Sequence, residues 1–142
     1  MSRNTHVGIA LLAGIAVVWL VPIFSALATS IPGLANVLRG VKEHGLPGEI
    51  VSWALFSLLP VAMTALLVGL VLFRLPGNRR LALPIASAPF VLYSLAVNIG
   101  LFVWAGNSLL SAASNTLPWL VAAMVPLGFF LSMLAVRQPS EA

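Results

Sequence analysis

Cysteine is absent from this 142-residue chain. Disulfides, thiol catalysis and thiolate metal sites are excluded together. Charge is scarce as well: 7% of the residues are charged, while 61% are hydrophobic. Soluble domains carry about 25% charge. So few ionic groups leave a water-facing surface uncovered, and lipid is expected to be the main solvent.

The formal charge of +4 is not a nucleic-acid signature. The basic residues Arg3, Arg39, Lys42, Arg74, Arg79, Arg80 and Arg137 are scattered along the chain. They form no stripe interleaved with aromatics, so no nucleic-acid partner is expected. In a membrane protein such charge reports topology and headgroups instead. Arginine outnumbers lysine six to one, a usage that points to a GC-rich bacterial genome.

Four stretches are long and apolar enough to cross a bilayer, which takes about 20 residues. They run over 7–28, 50–73, 81–105 and 117–136, and none contains Asp, Glu, Lys, Arg or His. The second holds 14 residues of the Ile, Val, Leu and Phe types. Their insertion gains several kcal/mol before any packing. The first stretch is too long for the core of a signal peptide, which predicts that it is retained. The expected fold is all-α and integral to a membrane. One transmembrane domain over 1–142 forms a four-helix bundle, with a short amphipathic interfacial helix in the first extracytoplasmic loop.

Orientation follows from basic residues in short loops. Arg3, Arg74, Arg79, Arg80 and Arg137 fall on one side, and Arg39 and Lys42 on the other. This predicts both termini in the cytoplasm and residence in the inner, cytoplasmic membrane. Arg74, Arg79 and Arg80 then meet cytoplasmic headgroups. Pro76-Gly77-Asn78 is a turn signal that makes the second and third spans antiparallel neighbours. Trp53, Trp104 and Trp119 fall at the outer ends of their spans and form an interface belt.

The first outer loop predicts a helix over about 32–44. Leu34, Val37, Leu38 and Val41 recur at i, i+3, i+4 and i+7 and make one apolar face. The segment is too short to span, so it is expected to lie on the outer leaflet. Gly45-Leu46-Pro47-Gly48 is read as its end, and 106–116 as a plain connector. Glu43, His44 and Glu49 share the first loop but read as solvated side chains, not as a metal or acid–base site.

Polar side chains inside the spans are few: Ser25, Ser52, Ser57, Thr64, Ser87, Tyr93, Ser94, Asn98 and Ser132. Asn98 is the most demanding, since a bare amide in hydrocarbon costs several kcal/mol. Asn98 and Ser57 both lie about 10 Å below the outer surface by helical rise, and Tyr93 and Thr64 lie deeper at matching levels. These depths predict an interhelical polar seam of Ser57, Thr64, Tyr93, Ser94 and Asn98 between the second and third spans.

Membrane enzymes need an acid, base, nucleophile or metal, and the spans offer only hydroxyls and amides, so no enzyme and no cofactor are expected. Small four-span drug exporters of bacteria are similar in size but depend on a glutamate in the first span, which this chain lacks. By elimination, the expected function is non-enzymatic: an accessory subunit of a membrane complex or an immunity-type inhibitor. The alternative is a homo-oligomeric pore or a carrier for a neutral or lipid-like molecule. The expected partners are membrane lipids together with another membrane protein or a second copy of the chain.

Overall fold

In the computed structural model, residues 2–114 and 116–136 are described. Among them every regular element is helical. The order is α1 (Arg3–Thr29), α2 (Leu34–Lys42), α3 (Leu46–Trp53), a π-helical turn (Ala54–Leu58), α4 (Leu59–Leu72), α5 (Arg79–Trp104), α6 (Leu109–Ser114) and α7 (Thr116–Ala135). Four continuous helices are long and apolar enough to cross a membrane: Arg3–Thr29, Leu46–Leu72, Arg79–Trp104 and Pro118–Ala135. They are called spans 1 to 4 below.

Local chemistry sets the helix ends. The Ser2 hydroxyl accepts from the Thr5 N–H at 3.2 Å, and the Asn78 carbonyl oxygen Oδ1 accepts from the Leu81 N–H at 3.3 Å. Each satisfies an orphan donor at a helix start. Gly33, with φ +83°, precedes α2 and holds its first residue at Leu34, two positions later than the periodicity predicts. Span 2 begins at Leu46 instead of Ile50. Gly45, at φ +77°, turns the chain, and Pro47 sits in the first helical turn, where a missing N–H costs nothing. The Gly-Leu-Pro-Gly stretch therefore starts a span as well as ending α2. Leu109–Ser114, read from sequence as connector, forms the short helix α6.

The π turn lies just ahead of Pro60. Proline has no N–H for the carbonyl four residues earlier, that of Phe56. A locally wider turn is one way for a helix to absorb that loss.

The spans run alternately up and down. The starts of α1 and α5 and the ends of α4 and α7 meet at one end, called the His6 end; α2 and α6 lie at the other, the α2 end. Span 1 packs on spans 2 and 3, and span 4 packs on the same two. Spans 2 and 3 are not packed against each other. The sequence expectation of a 2–3 neighbour pair is therefore corrected: the two spans sit diagonally. Small residues explain the choice of neighbours. A Cβ on Gly128 would lie 2.5 Å from the Ala62 carbonyl oxygen, and one on Gly69 would lie 2.0 Å from the Ser132 hydroxyl. Spans 2 and 4 thus approach closely over two successive glycine contacts. Gly14 does the same for spans 1 and 3, where a Cβ would stand 2.3 Å from the Ala86 carbonyl oxygen.

Between these contacts lie fully buried Val17, Val125 and Phe129, with Phe73 set edge-on to Phe129 at 6.4 Å between ring centroids. The outer surface is apolar: Leu12, Trp19, Val71, Leu92 and Leu134 are each exposed. Gly14→Val is expected to destabilise the bundle by about 1–3 kcal/mol, the range for overpacking. Gly100→Val, at a position with open space around it, is expected to be neutral. Unfolding midpoints in mild detergent test the pair, and equal midpoints would refute the close crossing.

Candidate functional site

Two polar constellations stand out, one at each half of the bundle. At the His6 end, the Arg79 guanidinium donates through Nη2 to the Phe73 carbonyl at 2.9 Å and through Nη1 to the Met133 carbonyl at 3.3 Å and to the Val136 carbonyl. These are end carbonyls of span 2 and span 4, which have no intrahelical donor. A planar cation with five N–H groups suits several carbonyls at once, and it complements the negative end of each helix dipole. His6, on α1, is buried beside it, with Nε2 3.3 Å from the Asn78 carbonyl at the start of α5. The N–H form at Nε2 donates there. Among the described residues, His6 Nδ1 and Arg79 Nε are buried without a hydrogen-bond partner. Gly77 passes so close that a Cβ would lie 2.2 Å from the His6 ring.

This separates the three arginines that the sequence groups at headgroups. Arg74 and Arg80 are exposed, whereas Arg79 is turned inward. Three carbonyls left bare by two helix ends draw it there, and helix ends in different parts of the chain leave no local sequence signal.

The second constellation lies toward the α2 end. A cavity of about 240 Å³ is lined by residues of all four spans. Ser57, Tyr93, Ser94 and Asn98 are among them, joined by Ser25 from span 1, which depth matching between spans 2 and 3 had left aside. The apolar part of the wall includes Val18, Val21, Val61 and Val121. Phe56 and Ser57 of the π turn both line the cavity. One turn further toward the His6 end, Val17, Val125 and Phe129 fill the core.

Of the expected seam, Ser57, Tyr93, Ser94 and Asn98 line one cavity, and among the described residues they make no hydrogen bond across helices. Asn98 donates to the Ser94 carbonyl at 2.7 Å and to the Ser94 hydroxyl at 3.4 Å, on its own helix. Ser87 and Ser132 likewise donate to carbonyls of their own helices, at 2.8 and 2.7 Å. A side chain that can reach a carbonyl one turn back needs no neighbour to be satisfied. Thr64 also leaves the group: it is fully buried, donates to the Pro60 carbonyl at 2.7 Å and borders a different, apolar groove. Tyr93, its expected partner, is half exposed on the diagonal span.

The remaining predicted residues are dispersed. Trp104 and Trp119 are exposed toward the α2 end, and the Trp53 side chain lies outside those described. In α2, Leu34 and Val41 are partly buried and Val37 is exposed, while the Leu38 side chain and all of Arg137 lie outside the described residues. Helix α2 folds back on α3, where a Cβ on Gly48 would lie 1.8 Å from the Val41 carbonyl oxygen. His44, in the turn after α2, donates through Nδ1 to the Gly40 carbonyl of that helix at 2.9 Å. Comparison with protein-family models, curated proteins and solved structures finds no match.

Replacing Arg79 by Met is expected to cost about 1.5–3 kcal/mol, the range for hydrogen bonds to a charged donor. Arg79→Lys should recover only part, because a point ammonium does not fork across three carbonyls. Arg74→Met should stay within about 0.5 kcal/mol, as surface changes do. Thermal unfolding of the three variants in one detergent checks the order, and equal losses for Arg74 and Arg79 would contradict the clamp.

Proposed function

We propose that the chain is a non-enzymatic multi-pass protein of a bacterial cytoplasmic membrane that binds and carries a neutral or lipid-like small molecule in the four-span cavity. The observation behind this reading is the convergence of Ser25, Ser57, Tyr93, Ser94 and Asn98 on one cavity. In an apolar bundle, hydroxyls and an amide around a cavity can match a ligand's polar groups, and ligand sites are mostly apolar with a few such groups. Among the described residues no charged side chain lines the cavity, so a neutral molecule is the complementary one. The filled core toward the His6 end favours binding over a pore through a single chain.

In this reading both termini face the cytoplasm, Arg74 and Arg80 contact headgroups there, and α2 rests at the outer leaflet. Attachment to a larger membrane protein, as an accessory subunit or immunity-type inhibitor, is a second reading. It is favoured by the exposure of Val37 on the apolar face of α2.

The absence of cysteine allows the orientation to be read from single introduced thiols. Glu43→Cys, at an exposed position in the loop that carries α2, should react with an impermeant maleimide added outside intact cells, and Arg80→Cys only after the membrane is opened; the reverse pattern would invert the topology. For function, the tagged protein is purified in mild detergent and its bound species are weighed by native mass spectrometry. A neutral small molecule is expected, with occupancy reduced about tenfold or more in Asn98→Leu, equivalent to about 1.4 kcal/mol or more. A stoichiometric larger membrane protein and no small molecule would instead support the accessory reading.

A further inference from the structure

A second concavity lies on the outside of the bundle between spans 1 and 2. It measures about 300 Å³, and Phe24, Leu55, Leu59, Met63 and Leu67 contribute to its walls. These side chains are partly exposed, so the groove is open at the surface that would meet hydrocarbon. Its one side-chain hydroxyl, that of Thr64, is spent on the Pro60 carbonyl. Leu34 of α2 stands at the α2 end of the groove.

The groove and the four-span cavity share one wall residue, Phe56. The same stretches of helix serve the two spaces. On span 1, Pro22 and Ser25 face the cavity while Phe24 and Ala28 face the groove. On span 2, Ser57 and Val61 face the cavity while Leu55 and Leu59 face the groove. Span 1 packs closely on α4, less on the π turn and least on α3, so the two spans part toward the α2 end, from Phe56 onward.

We infer that the bound molecule is a neutral single-chain amphiphile. Its hydroxyl-bearing head lies among Ser25, Ser57, Tyr93 and Asn98, its acyl chain lies in the groove between spans 1 and 2, and Phe56 separates the two. The inference rests on the cavity being a ligand site, as proposed above. A charged head, such as a phosphodiester, would be buried without a counter-charge, which costs far more than burying a hydrogen-bonded hydroxyl. An apolar groove open to hydrocarbon accepts an alkyl chain without desolvating any polar group. The joint at Phe56 gives such a molecule a lateral way in from the bilayer.

The test uses the full chain in phosphatidylcholine nanodiscs with a monooleoylglycerol analogue that carries a diazirine in its acyl chain. After illumination, labelled peptides are mapped by mass spectrometry. Label is expected to concentrate on Leu55–Leu67 and around Phe24, and excess monooleoylglycerol should suppress it. Leu59→Trp, which fills the groove, should reduce labelling at least fivefold, with Leu59→Phe intermediate. Asn98→Leu, on another span, should reduce it as strongly by removing the head contact. Leu92→Trp, on the outer surface of α5, should leave it unchanged. Label spread evenly over the spans, or confined to the groove but indifferent to Asn98→Leu, would overturn the inference. Glycerol monobutyrate, which has the head and almost no chain, separates the two levels of reading. If it binds in an Asn98-dependent way while the acyl label stays evenly spread, the cavity site stands and the acyl-chain assignment fails. If neither probe binds, both fail.

Discussion

The guanidinium of Arg79 meets the carbonyl ends of two helices, at Leu72 and Ala135, that are 63 residues apart in the chain, and ties both to the start of a third. Span 2 ends at Leu72, span 4 ends at Ala135, and Arg79 lies between them in sequence at the start of span 3. The final turn of a helix leaves four carbonyls without donors. In an apolar bundle few other groups are available to satisfy them. One arginine serves both ends, and so draws spans 2 and 4 together beneath the start of span 3. His6 adds the start of span 1 to the same junction through Asn78. All four spans are thereby gathered at one end by two side chains.

Along their lengths the helices are held by shape. Gly69 and Gly128 bring span 2 onto span 4, and Gly14 brings span 1 onto span 3. Close van der Waals contact of this kind is what holds helices together wherever the surroundings are as apolar as the side chains. The hydrogen bonds of three buried hydroxyls do not cross between helices. Thr64, Ser87 and Ser132 each return their proton to a carbonyl of their own helix. They are accordingly small, satisfied spacers at the helix contacts. The tight crossings toward the His6 end contrast with the α2 end, where Pro60, the π turn and the polar groups coincide with a cavity.

That coincidence links backbone chemistry to the proposed activity. Proline removes one N–H, the turn ahead of it widens, and Phe56 and Ser57 of that turn border the cavity. The polar groups of span 3 and Ser25 of span 1 complete the lining without bonding across it. Their capacity for further hydrogen bonds gives a neutral ligand something to bind.

Much of this protein was legible without coordinates. Hydropathy alone marks the four spans, because the bilayer thickness sets a minimum length of apolar chain that few other structures need. The apolar face of α2 and the polar residues at matching depth also follow from helical period and rise. The neighbour relations do not. A turn such as Pro76-Gly77-Asn78 reverses the chain but does not decide which helix the next span will lean on. That was settled by the glycine contacts between spans 2 and 4 and by Arg79, whose partners come from distant helix ends. The expected seam between spans 2 and 3 became a cavity among four spans, and Thr64 fell on its far side. Sequence determined which long segments are helical and how the polar groups are spaced along them, because both depend on local period and length. Only the tertiary structure decided which of those groups share a space, because that depends on close contacts between helices remote in the chain.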